Sequence, residues 1–211
     1  MRIETERLIL RPFSREDGEA VYEMLSDPET LRFEPYPPLS RGEAYAEAAE
    51  RAENPDFLAV CKKDDTLIGS VFFSPCAFEG AELAYLFDRR YWGNGYAYEA
   101  CRARITEAFE KTDTHRVLAM CDPENTRSVR LLERLGLRKE GHFRKNMYFY
   151  RDTDGNPIWR DTLFYAILKD EWTAGILPKT RKKKNKNASA RSFVWGKTGR
   201  NFWFIRSFFQ R

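Results

Sequence analysis

The stretch Ala81 to Cys101, AELAYLFDRRYWGNGYAYEAC, decides how this chain is read. Leu83 to Phe87 is an apolar run that predicts a strand, and Gly93 and Gly95 predict a turn. Ala97, Ala100, Cys101 and Ile105 then recur at helical spacing. A strand that passes through a glycine turn into a helix gathers several unpaired backbone N–H groups at one point. Glycine lets a ligand approach the backbone closely, and the helix dipole favours negative charge there. The stretch predicts a phosphate cradle.

Elimination narrows its kind. A nucleotide-hydrolysing loop needs GxxxxGK[ST], and no Lys-Ser or Lys-Thr follows these glycines. A dinucleotide fingerprint needs GxGxxG, but Tyr98 stands at the third small position and no βαβ unit precedes the glycines.

Upstream, Arg7 to Arg11 predicts a first strand ended by Pro12. Ser14 to Asp17 caps a helix with Ala20, Val21, Met24 and Leu25 on its apolar face, and Asp27-Pro28 stops it. Leu31 to Leu39, with three prolines, predicts an ordered non-helical loop. Ser40 to Glu43 has capping-box spacing and opens a second helix to about Glu53. Strands follow at Phe57 to Lys62, Leu67 to Ser74 and Ala81 to Asp88. Downstream, a helix from about Gly95 to Lys111 leads to a strand at Arg116 to Cys121. A short helix comes next, capped by Asn125, carrying Leu131, Leu132 and Leu135, and stopped by Gly136. Strands at Leu137 to Tyr150 and Trp159 to Leu168 complete the order β α α β β β α β α β β. Antiparallel strands flanking a single right-handed β-α-β crossover predict an α+β fold, a mostly antiparallel sheet with helices on both faces.

Length and composition set bounds. A chain of 211 residues suffices for one domain with a sizeable core and an appendage. The apolar and charged fractions are those of a soluble globular protein, and no apolar run approaches the roughly 20 residues of a membrane span. The charged N-terminus predicts no signal peptide. The four cysteines, Cys61, Cys76, Cys101 and Cys121, have no ligand spacing, and only His115 and His142 are present. The expectations are reduced thiols, a cytoplasmic location and no metal. From Thr173 onward there are eleven Lys or Arg residues and no acid, so against a net charge of +4 the preceding body carries about −7. An acidic body attracts cationic amines.

Arg90-Tyr91-Trp92-Gly93-Asn94-Gly95 is similar to the [QR]xxGx[GA] motif of the GNAT superfamily of N-acetyltransferases, whose loop holds the pyrophosphate of acetyl-coenzyme A. Three further words resemble that superfamily's branch of ribosomal-protein N-terminal acetyltransferases. They are the ETERLILR opening at Glu4 to Arg11, Glu82-Leu83-Ala84-Tyr85, and NTRSVRLLERLG from Asn125 to Gly136. The resemblance covers Thr5 to Trp172 and sets an acetyltransferase domain over residues 1–172, with a tail over 173–211.

This resemblance implies that the strands beside the cradle splay and that the thioester lies in the gap. It implies that the N–H groups of Gly93, Asn94, Gly95, Tyr96 and Ala97 bind pyrophosphate and that Arg90 opens the loop. Backbone groups of Tyr85, Leu86 and Phe87 then line the pantetheine, and Asn125 faces the cofactor. Direct attack of an amine on the thioester needs a neutral amine, a stabilised oxyanion and a proton for the thiolate. Many relatives carry an acid Tyr seven residues after the Asn, where this chain has Leu132. The ribosomal-protein branch points instead to Ser128. Glu82 is the candidate base; the branch's own downstream Glu is replaced by Met147. Phe33, Glu34, Tyr36, Tyr148 and Tyr150 are candidate walls of the acceptor pocket, with Glu34 steering a cation.

The expected activity is acetyl transfer to a primary amine, foremost a protein or peptide N-terminus, with a small amine such as an aminoglycoside antibiotic or polyamine as alternative. A non-catalytic acyl-coenzyme A-binding or RNA-associated module is the rival from another class. The tail interleaves Arg181-Lys182-Lys183-Lys184 with later aromatics, a composition that suits RNA or an anionic surface and equally a disordered extension. No membrane insertion is expected, and the chain is read as a monomer or homodimer.

Overall fold

The structure, a computed structural model, describes residues Met1–Thr173, and the tail readings from Leu177 to Arg211 fall outside the described residues. Its framework is one eight-stranded sheet. The strands are β1 (Ile3–Glu4), β2 (Leu8–Pro12), β3 (Phe57–Lys62), β4 (Leu67–Cys76), β5 (Gly80–Phe87), β6 (Arg116–Cys121), β7 (Arg138–Arg151) and β8 (Pro157–Leu168). Their spatial order is β1-β2-β3-β4-β5-β6-β8-β7, and every pairing is antiparallel except that of β5 with β6. The helices are α1 (Gly18–Leu25), α2 (Arg41–Glu53), α3 (Tyr96–Lys111), α4 (Thr126–Arg134) and α5 (Lys169–Thr173). The α+β fold with the single β-α-β crossover is as the sequence predicts; the two-residue β1 and the terminal α5 are additions.

Strand alternation divides the core into two layers. Val60, Val71, Leu83, Val117 and Tyr165 pack on one face with Ile105 and Phe109 of α3 and Leu132 of α4. Ala59, Cys61 and Leu67 pack on the other with Val21, Met24 and Leu25 of α1 and Ala44 and Ala48 of α2. The predicted capping box starts α2, with Ser40 N–H donating to Glu43 at 2.9 Å and the Ser40 side chain accepting from the Glu43 N–H.

The feature that positions the site is a ladder that stops early. β5 and β6 pair only at Gly80–Arg116, Ala81–Val117 and Glu82–Leu118. Beyond Glu82, Leu83–Phe87 has no partner on its β6 side, so the sheet opens into a slot between its two halves. Gly69 of β4 holds the far end of this edge, because Phe87 lies flat against it: a Cβ on Gly69 would stand 2.6 Å from the Phe87 ring.

Candidate active site

A cradle stands at the wide end of the slot. Asp88 ends β5 and is buried; its carboxylate accepts from the Arg90 N–H at 2.8 Å and starts a short 3-10 turn, Arg89–Tyr91. Gly93 and Gly95 both have φ of +79°, which lets the chain reverse into α3. The N–H groups from Gly93 through Tyr98 make no hydrogen bond within the described residues, so a run of unpaired donors stands at the start of α3. A Cβ on Gly93 would meet open space, and on Gly95 only the Arg7 guanidinium at 3.6 Å.

The side chains around the cradle shape it. Asn94 folds its amide back onto the Tyr91 and Trp92 carbonyls, at 3.2 and 3.1 Å. Arg90 turns its guanidinium to Asp88 and Glu23, both at 2.8 Å, and so braces the loop against α1 instead of presenting charge to the cradle. The Trp92 indole donates to the Phe87 carbonyl at 2.7 Å, which occupies one of the backbone groups expected to face pantetheine. Arg7 donates to the Asn94 carbonyl at 3.0 Å and lies over the Tyr96 ring. Arg127 of α4 lies over the Trp92 ring at 4.3 Å and adds positive charge to the same rim.

The two candidate proton carriers occupy opposite faces of the sheet. Ser128 sits in the first turn of α4, where the Asn125 side chain caps its N–H at 3.1 Å. Its hydroxyl lies 2.7 Å from that of Tyr85, which comes from the open half of β5 and packs on the α3/α4 side. Burial pushes the Tyr85 phenol well above its usual value. Glu82 lies at the last paired rung, on the alternate face with Leu86, and burial raises its carboxyl.

The candidate acceptor residues are brought together in part. Tyr36 and Leu86 pack in the α1/α2 layer, and Arg51 donates to Ser70 beside Leu86. Glu34 is half-buried among them, and burial pushes its carboxyl up to about 7 against a partial pull from Arg51. Tyr150 of β7 is exposed, and partial burial raises its phenol, with a lowering from Arg160 and a smaller raising from Glu34. Phe33 is half-buried in the same loop beneath the Arg32 guanidinium. Tyr148 is committed to the hairpin: it packs edge-on against Trp159 and accepts from Arg151 at 3.0 Å.

Sequence reasoning did not find Arg7, Glu99, Asp88, Arg127 or the Tyr85 hydroxyl. The signal for Asp88 was a carboxylate directly after an apolar strand and two residues before Arg90. The Tyr85–Ser128 pair joins residues 43 positions apart and left no local signal.

Residues 7–138 match the acetyltransferase (GNAT) domain family. The uncharacterized N-acetyltransferase YnaD of Bacillus subtilis is 34% identical over 177 residues, 82% of this chain and 99% of that protein. A GNAT-family acetyltransferase structure from Bacillus anthracis is 32% identical with a TM-score of 0.74, covering 81% of this chain and all of that one. The Escherichia coli [ribosomal protein uS5]-alanine N-acetyltransferase is 34% identical over 99 residues, 47% of this chain and 48% of that enzyme.

Proposed function

We propose, for a chain that belongs to the acetyltransferase (GNAT) family and is an N-acetyltransferase using acetyl-coenzyme A, that its acceptor is the N-terminal amine of a protein or peptide. Family membership favours the enzyme over a binding module. The observation that carries the reading is the slot between β5 and β6, with a cradle of free N–H groups at one end and Glu34 near its opposite face. The residues present fit the cofactor: the Gly93–Tyr98 amides take the diphosphate, and the Leu83–Phe87 edge takes the pantetheine amides and the oxyanion.

The two faces then divide the work. The amine enters from the α1/α2 side, where Glu82 and Glu34 are the carboxylates that receive its proton, and the sulfur leaves toward the α3/α4 side, where Ser128 lies. The partial likeness to the uS5-alanine enzyme supports an N-terminal acceptor. A second reading, a small polyamine or aminoglycoside, is favoured by Glu34, a desolvated carboxyl whose burial outweighs the pull of Arg51 and which a charged amine would complete.

The full-length protein incubated with acetyl-coenzyme A and a panel of N-terminal peptides, polyamines and aminoglycosides tests this by release of free thiol. Turnover highest with peptides supports the reading. Turnover confined to small amines replaces it with the second.

A further inference from the structure

Direct transfer expels a thiolate on the α3/α4 side of the slot, and something there must protonate it. On α4 the turn after Ser128 packs Val129, Leu131 and Leu132 against the core, and its one acid, Glu133, accepts from the Tyr165 hydroxyl. The hydroxyls in place are those of Ser128 and Tyr85, 2.7 Å apart, one on each side of the opening. Asn125 fixes the Ser128 backbone, and the Tyr85 ring is packed against the larger core layer, so the pair is held before any ligand arrives.

We propose that Tyr85 is the catalytic acid of the transfer, delivering its proton through Ser128 Oγ to the sulfur that leaves the thioester. This rests on the acetyl-transfer reading above. The amine nitrogen bonds to the thioester carbonyl carbon, and the C=O electron pair moves to oxygen. As that pair returns, the C–S bond breaks and its electrons stay on sulfur. Ser128 gives its proton to sulfur while Tyr85 gives its own to Ser128. The proton lost by the acceptor nitrogen passes to Glu82 or Glu34 and from there to water, and the Tyr85 phenolate regains one from water, so the sum is amine plus thioester to amide plus thiol.

The surroundings suit a neutral phenol. The groups acting on Tyr85 are Cys101 from α3, Cys121 from β6 and Tyr165 from β8. Burial raises all three, Cys121 to about 11 and Tyr165 to about 12, so each is uncharged at neutral pH; Glu133 reaches Tyr165 from α4 rather than Tyr85. Cys121 also shows what this wall does to a thiol. A thiolate expelled against the same wall is desolvated too, which raises its basicity alongside that of the Tyr85 phenolate and narrows the gap the proton crosses.

The test compares wild type, Tyr85→Phe, Ser128→Ala and the double variant in the full-length protein, by acetyl-coenzyme A calorimetry, thermal melting and amine-dependent thiol release. The expected result is a fall in kcat of about 100-fold in each single variant. Acetyl-coenzyme A affinity should stay within about threefold, and the double variant should be no slower than the slower single one. If Tyr85→Phe fails to fold, Ser128→Ala with its solvent isotope effect on kcat carries the test: loss of the wild-type effect supports the relay, and its retention overturns it. Tyr85→Phe turnover within threefold of wild type, or losses that multiply in the double variant, overturn the proposal alone. Wild type that binds acetyl-coenzyme A yet releases no thiol with any amine overturns the transfer reading and the proposal with it.

Discussion

Arg7 and Glu99 clasp each other across the base of the glycine loop, with Arg7 Nε 2.7 Å and Nη2 2.6 Å from the Glu99 carboxylate. Thr5 Oγ1 and the Arg7 N–H donate to the same group at 2.6 and 2.9 Å. Burial alone would raise the Glu99 carboxyl, and these hydrogen bonds more than reverse that, so it is lowered. An acid in the first turn of α3 would repel a diphosphate, and Arg7 offsets it while holding the Asn94 carbonyl. Arg7→Ala is expected to weaken acetyl-coenzyme A binding by about tenfold in calorimetry, more at low than at high salt.

Gly95→Glu should abolish cofactor binding. The site is open, but a side chain at φ of +79° is strained and would place a negative charge against the phosphates. Affinity is expected to fall by more than about 100-fold, while thermal melting shows a loss of only about 1–2 kcal/mol.

Gly69→Ala acts at a distance from the ligand. The added Cβ would stand 2.6 Å from the Phe87 ring and 2.7 Å from the Leu86 carbonyl, so the end of β5 must shift. Urea denaturation should register a loss of about 1–3 kcal/mol, and cofactor affinity should fall with it.

Glu34 gives a pH signature. Its carboxyl sits at about 7 in the folded protein against 4.5 as the ordinary value, so the folded state holds the proton more tightly. Ionisation therefore costs stability as pH rises from about 4.5 through about 7; the cost is absent below that window and complete above it. Glu34→Gln removes the cost. The variant should match wild type at pH 4 and exceed it at pH 8, by on the order of 2 kcal/mol in chemical denaturation.

The strands, the helices and the glycine turn were legible because each rests on neighbours in sequence: period, caps and glycines. Ser40 with Glu43, or Gly93 with Gly95, are signals a few residues long. The division of Glu82 and Tyr85 between faces also follows from alternation. What stayed hidden depends on long-range contact. Arg90 reads as a loop cation, and only the fold shows Glu23 of α1 drawing its charge away. Tyr148 and Tyr150 look alike in sequence, yet register and a bulge in β7 give the first to Trp159 and leave the second exposed.

Three residue pairs, and the His115 N–H donating to the Glu79 carbonyl just ahead of them, are the backbone seam recorded between β1–β5 and β6–β8 among the described residues. Wherever the seam is unsewn, β5 offers amide and carbonyl groups that a strand would otherwise satisfy. In the binding mode proposed above, a pantetheine arm laid along that edge would take the vacant strand's place, and the acyl donor would become structural as well as chemical. Loading the enzyme should then knit the two halves of the sheet together, with slower amide exchange in Leu83–Phe87 as its trace.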